Sequence, residues 1–419
     1  MSSKTLLRLV AASAATALLG GTLAACSTGS PAGSSDTLTI ATSHEPAVQA
    51  AVDAFKKENP DADIEVKVYA QDYRGVVGAQ LAGGNAPDIL EISGGGGNPI
   101  SAKVGGERGF YADLSDRDWA ADVPDSSRDQ LSLDDGKLMA VPTVISSIAG
   151  IYNQGAIDEL GLSIPTTWDE VLQFCADASD AGHVAYGLGL ADTWTTSMYP
   201  YALTASLVYS DPNFVDDQIA GKTTFSDSGW KQAYQQMVDM RDAGCFNKSP
   251  NGTPYAQVQD AIRSGETLGT VNVSSEVNTI ATGGASDLEL TYAPFPATDD
   301  PAETYLSTSG DGLALNAKSA DSELALQFLD FMATPEGQIA FAEGFGDAAA
   351  MPGDQQQDDQ VSALVQKNVE AGTVSTWPDR LWTSTTIQPE VTDGVQGLMN
   401  DSITVDELLS KMDAAFNAG

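Results

Sequence analysis

Histidine, cysteine and positive charge are all scarce in this chain of 419 residues, and each shortage closes off a class of function. The two histidines, His44 and His183, do not stand in a paired metal-ligand spacing such as H-E-x-x-H, and three cysteines are too few for a disulfide-built scaffold. Lys and Arg total 20 against 58 Asp and Glu, giving a net charge of −38. Such a field repels phosphate backbones and anionic headgroups, which argues against nucleic-acid binding and against membrane binding through a basic patch. No G-x-S-x-G nucleophile elbow occurs. Gly221-Lys222-Thr223 imitates the end of a phosphate loop, but Asp216 holds the place of its first glycine, and a carboxylate does not suit an anion cradle. The acids Asp113, Asp116, Asp118, Asp122 and Asp125 lack the spacing of a calcium loop and read as a solvated face. Acidity alone would suggest disorder, yet 42% of the residues are hydrophobic and only 19% charged, so the chain should fold, and its length predicts two or three compact units.

Lys4 and Arg8 precede an apolar Ala/Leu-rich run from Leu9 to Ala25, the order of an export signal. The run ends in Leu23-Ala24-Ala25-Cys26, which looks like a lipobox, so Cys26 is expected to be acylated and to become the mature N-terminus. Residues 1–25 are then the signal peptide, and the Ser/Gly/Pro-rich residues 26–36 a flexible tether. Losing Lys4 and Arg8 leaves the mature chain two charges more negative. No second apolar run approaches spanning length, which places the protein on the outer face of the cell membrane, held by its lipid alone. Cys175 and Cys245 remain, and in an exported chain an even remainder favours one disulfide; two buried free thiols are the alternative, and sequence alone does not bring the pair together.

From Leu38 the pattern is β-α-β-α-β. Leu38–Ala41 is β-prone; Val48, Val52 and Phe55 recur at helical spacing between Pro46 and Asn59; Ile64–Tyr69 alternates; Tyr73–Ala82 is helical and stops at Gly83-Gly84; Ile89–Ile92 is a third strand. This order predicts an α/β fold with parallel strands. Thr167 with Glu170, and Thr404 with Glu407, are spaced as capping boxes, and Thr334-Pro335 opens another helix. The glycines Gly94–Gly97 should either let backbone approach a ligand or make a flexible turn, and Gln355–Gln360 reads as a loop.

Several stretches, in this order, resemble a known family. They are Ala54-Phe55-Lys56-Lys57-Glu58-Asn59-Pro60-Asp61, Gly84-Asn85-Ala86-Pro87-Asp88-Ile89, Gly136-Lys137-Leu138-Met139-Ala140-Val141-Pro142, Ile151-Tyr152-Asn153, Pro165-Thr166-Thr167-Trp168-Asp169-Glu170, Gly265-Glu266-Thr267 and Phe331-Met332-Ala333-Thr334-Pro335-Glu336-Gly337-Gln338. Together they span nearly the whole mature chain, and they are similar to the solute-binding lipoproteins of bacterial ABC importers, in the carbohydrate-binding group that includes maltose-binding protein. The resemblance implies a two-lobed periplasmic-binding-protein-like fold of type II, with a ligand cleft between lobes joined by hinge segments. Residues 37–145 and 309–350 would form lobe 1, and residues 146–308 and 351–419 lobe 2. Crossings would fall near Pro142–Ser147, near Ser307–Gly312 and after a helix ending around Phe345. Both Cys175 and Cys245 would then lie in the second lobe.

The same resemblance implies a sugar or oligosaccharide ligand, ABC permease transmembrane subunits as partners, a monomer, no cofactor and no chemistry on the ligand. Ligands of open α/β sheets bind beyond the carboxyl ends of strands. Those loops, with the need for flat aromatic faces and planar polar groups, select Trp194, Glu45, Asp311, Asp192, Ser93, Ser275 and His44 as substrate-binding candidates, and the resemblance adds Trp382, which matches an aromatic segment near the C-terminus used in the family's cleft. Trp377 and Tyr199 are weaker candidates, Trp168 and Trp230 are expected to pack, and Asp88 is expected to support the fold. Where several relatives carry a cleft tryptophan, this chain has Ser274-Ser275-Glu276, which argues against long maltodextrin-like ligands. Alternatives are a polyamine or other cationic solute on the same fold, a sensor without transport, and a surface glycosidase.

Overall fold

The computed structural model describes residues 37–69, 72–284, 288–355 and 357–418. The export signal, the tether and Cys26 lie outside the described residues. Ten strands among the described residues form one mixed sheet: β1 (Thr37–Thr42), β2 (Asp63–Val68), β3 (Ile89–Ser93), β4 (Val141–Asn153), β5 (Val184–Tyr186), β6 (Thr267–Val273), β7 (Leu290–Ala293), β8 (Leu306–Leu315), β9 (Ala348–Ala349) and β10 (Val374–Thr376). The main path runs β2-β1-β3-β8-β4-β6-β5, with β10 beside β8 and both β7 and β9 beside β4.

The predicted β-α-β-α-β unit stands at one end. β1 is flanked by β2 and β3, parallel to both, and the crossover helices are Glu45–Glu58 and Tyr73–Gly83. The first of these buries Ala47, Val48, Ala51, Val52, Ala54 and Phe55, the stripe that its spacing announces. Phe55 packs edge-on to Phe328 and Phe331 of helix Glu323–Met332. Asp88 does support the fold: its carboxylate accepts from the Thr39 amide and hydroxyl at 2.8 and 2.6 Å, tying β1 to the start of β3. At the other end, β5 and β6 lie in a second apolar cluster around Tyr152, Tyr186, Phe295 and Trp230. Trp230 is fully buried there, and Trp168 packs against the same cluster. Cys175 of helix Trp168–Asp180 and Cys245 are joined by a disulfide within it, with Cα atoms 4.8 Å apart.

Two long strands belong to both ends. The first residues of β4 pair with the last of β8, which in turn pair with β3, whereas the last residues of β4 pair with β6 and β7. β4 carries an irregularity between Pro142 and Val144, and β9, which follows helix Pro335–Phe345, pairs with Val144 and Ile145.

Several local expectations needed correction. Thr404 and Glu407 form a full reciprocal capping box, but Glu170 sends its carboxylate to the Thr166 amide, one residue before the cap, while the Thr167 hydroxyl accepts from the Glu170 amide. The polar stretch after Gln355 is the expected loop up to Gln360, though one tied to strands. The Gln357 side chain accepts from the Ala349 amide, and Gln360 opens helix Gln360–Ala371 and accepts from the Tyr292 amide of β7. The glycines Gly94–Gly97 meet protein backbone. A methyl at Gly95, where φ is +69°, would overlap the Arg380 carbonyl, and one at Gly97 would overlap that of Asp379. Among the described residues no helix is long and apolar enough to cross a membrane, and no group of acids, histidines or cysteines could hold a metal ion.

Candidate functional site

A cavity of about 330 Å³ opens where the strand ends of both halves converge. His44 follows the carboxyl end of β1, Ser275 and Glu276 follow β6, and Trp377, Asp379 and Arg380 follow β10. Loops after strands supply these groups because a strand end frees the next residues to turn out of the sheet. Ser146 of β4 and Asp311 of β8 line it from the shared strands, and Arg74 enters from the first turn of helix Tyr73–Gly83.

Arg380 organises the floor. Its side chain is 2% exposed, and Nε donates to the Ser309 hydroxyl at 2.8 Å. Nη2 donates to Asp311 at 3.3 Å and Nη1 to Asp379 at 3.4 Å, while the guanidinium lies 5.2 Å from the Trp377 ring centroid. Two carboxylates and an aromatic face therefore compensate one buried cation. Burial holds Asp311 above the usual carboxylate range, although Arg380 pulls it back. Glu276 is also raised by burial, against a bond from Gln259 Nε2 at 2.7 Å. Arg74 has no hydrogen-bond or ion-pair partner among the described residues.

One wall is aromatic. Trp194, in the turn Thr193–Ser197, is 44% exposed and stands edge-on to Tyr255 at 5.2 Å, which leaves its other surface to the cavity. Beside it the Tyr201 hydroxyl donates to Gln388 Oε1 at 2.8 Å, and Gln388 Nε2 donates to the Ser197 hydroxyl at 2.7 Å.

Of the candidates read from sequence, His44, Trp194, Asp311 and Ser275 line this cavity. Trp382 does not: it is 3% exposed and packs against Tyr201, Phe225 and Trp230. Pro378 starts a single helical turn, Pro378–Leu381, after which the chain enters the core, so Trp377 is the indole at the wall. Glu45 sits exposed at the N-terminus of its helix, where the dipole favours a carboxylate, outside the cavity. Asp192 accepts from the Tyr255 amide at 2.7 Å and so caps helix Tyr255–Arg263 under the Trp194 ring partner. Ser93 accepts from Asn98 Nδ2 at 2.6 Å inside the glycine-rich loop. Tyr199 is in the core. Arg74, Glu276, Asp379, Arg380, Tyr201 and Gln388 escaped sequence reasoning. The Asp379-Arg380 pair between Trp377 and Trp382 was the signal available, because a charged pair amid aromatics implies internal compensation.

Residues 41–339 match the bacterial extracellular solute-binding protein family. The chain is 21% identical to the multiple sugar-binding protein of Streptococcus mutans over 311 residues, 71% of this chain and 70% of the relative. It is 23% identical to the maltodextrin-binding protein MdxE of Bacillus subtilis over 401 residues, 86% and 87% of the two chains. Among solved structures, a sugar transporter from Bacillus licheniformis in complex with stachyose superposes with a TM-score of 0.72 at 18% identity, covering 91% of this chain and 100% of the other. The sheet, the strands shared by both halves and these matches define a two-lobed α/β fold of type II. The chain belongs to the bacterial extracellular solute-binding protein family.

Proposed function

We propose that this chain is the lipid-anchored receptor of an ABC importer, binding a sugar or oligosaccharide in the cavity and delivering it to membrane permease subunits. The observation that carries the reading is the Trp194 indole, exposed at the wall of a cavity that also holds Trp377 and sets hydroxyl, amide and charged groups beside these aromatic faces. A sugar ring offers a C–H face to an indole and hydroxyls that both donate and accept. A polyamine fits less well, because Arg74 and Arg380 line the same cavity as Asp311, Asp379 and Glu276, and a cation would meet both signs of charge.

The lobes are taken as residues 37–145 with 309–350 and residues 146–308 with 351–419, so that β4, β8 and the segment that follows helix Pro335–Phe345 are the crossings between them. Closure by rotation about these strands brings the Arg74 side toward the Trp194 side. Ligand favours the closed state to the extent that it binds that state better. Catalysis has no part in this role, and Cys26 carries the lipid.

Thermal melting tests the reading with raffinose, stachyose and maltotriose against spermidine and amino acids. A bound sugar at a hundred times its Kd stabilises by about 2.7 kcal/mol and raises the melting temperature. A shift with spermidine and with no sugar would replace the ligand class by the cationic one. In the sugar-bound protein, Trp194→Ala should weaken affinity at least about tenfold, since burying a large apolar side chain contributes roughly 1.5–3 kcal/mol.

A further inference from the structure

His44 is held in a way that simple packing does not require. Its ring lies on Phe345 with centroids 4.1 Å apart, and its Nδ1 stands 2.7 Å from Glu91 Oε1. Glu91 comes from β3 and is buried, and its other oxygen accepts from the Thr42 hydroxyl at 2.6 Å. The Ser43 hydroxyl is 3.3 Å from Oε1. A carboxylate at Nδ1 keeps a proton there in both charge states of the ring, so Nε2 is an acceptor when the ring is neutral and a donor when it is charged. No hydrogen bond among the described residues engages Nε2, and the ring lines the cavity.

The groups that face His44 are acidic: Glu91 on β3, Asp311 on β8, Asp347 after helix Pro335–Phe345 and Glu276 on helix Ser275–Thr282. Arg74 and Arg380 act on Asp311 at the same wall. Burial alone would lower the imidazole, but the charge and hydrogen bond of Glu91, with Asp311 and Asp347 beyond, outweigh it and hold His44 above its ordinary 6.5. Glu91 is correspondingly held down, mainly by His44 working against its own burial.

We propose that Glu91 is a positioning residue for ligand binding, which fixes His44 so that a charged Nε2–H donates to an oxygen of the sugar, and that affinity weakens as this proton is lost with rising pH. The inference rests on the sugar reading of the cavity. The sign follows from the raised imidazole: the donor persists to higher pH than on a free histidine and is lost as pH rises through its raised titration.

Calorimetry from pH 5.5 to 9 with whichever of raffinose, stachyose and maltotriose binds tests this, none of the three being titratable. Wild type should bind about tenfold more weakly at pH 9 than at pH 5.5, the loss expected for one hydrogen bond to a charged donor. It should also take up protons on binding, read from buffers of different ionisation enthalpy. His44→Asn keeps an amide donor for Glu91 at the place of Nδ1 and has nothing at Nε2, so its affinity should be weak and flat with pH. Glu91→Gln should move the midpoint of the profile to lower pH and, between the two midpoints, bind more weakly than wild type, by up to about tenfold. If Glu91→Gln does not fold, wild type against His44→Asn decides.

A flat wild-type profile with a bound sugar overturns this inference and leaves the sugar reading standing. A slope that survives in His44→Asn also overturns it, by assigning the proton to another group such as Asp347. Binding of none of the three sugars removes the reading and this inference together.

Discussion

Asp347 shows what burial does to a carboxyl with no cation bonded to it. It is 2% exposed, the Ser146 hydroxyl donates to Oδ2, and Oδ1 has no partner. Burial pushes it up to about 7, with Ser146, Ser274 and His44 pulling the other way. The folded protein therefore keeps a proton that the unfolded chain releases near 3.8, and stability falls as pH rises from about 4 to 7 before levelling. Asp347→Asn should flatten that interval and raise stability by about 2 kcal/mol at pH 8, measured by urea unfolding at pH 5 and 8. Site residues were legible where a strand end and a residue type coincide, as for His44 and Trp194. Trp382 was misread because one turn begun by Pro378 decides which indole faces the cavity, and sequence does not fix that rotation. Glu91 was invisible because Ile89–Ser93 reads as an ordinary buried strand and its partner lies 47 residues away.

Elements whose causes are local were readable. The capping box at Thr404 and the Pro335 helix start are satisfied within four residues, so their sequence is their cause. β4 and β8 were not read as strands, since almost every residue of both is buried and neither alternates between faces. The polar run after Gln355 is a loop as read, but its ties to strands were not legible because the strand edges it satisfies are distant in sequence. The bridge between helix Trp168–Asp180 and Cys245 spans 70 residues, and restricting a loop of that length in the unfolded chain stabilises the fold by about 4 kcal/mol. Cys175→Ser with Cys245→Ser should lose roughly that amount in chemical denaturation. Sugar affinity should be unchanged, because neither cysteine lines the cavity.

At the scale of the whole molecule, 58 acids against 20 bases serve an exposed surface, while the cavity carries both signs. If Cys26 carries the lipid, as proposed, Cys26→Ser should move the protein from the membrane fraction to the soluble one, followed by immunoblot, without altering ligand affinity. The seating of Gly95 and Gly97 under the Asp379 and Arg380 carbonyls bears on ancestry. A side chain at either glycine would dislodge the segment that carries the Arg380 floor, so both glycines are held by backbone contact whatever side chains stand at 379 and 380. A lineage of this chain that turned to another solute could change the side chains at the cavity wall, those of 379 and 380 included, while the two glycines stayed fixed beneath their carbonyls.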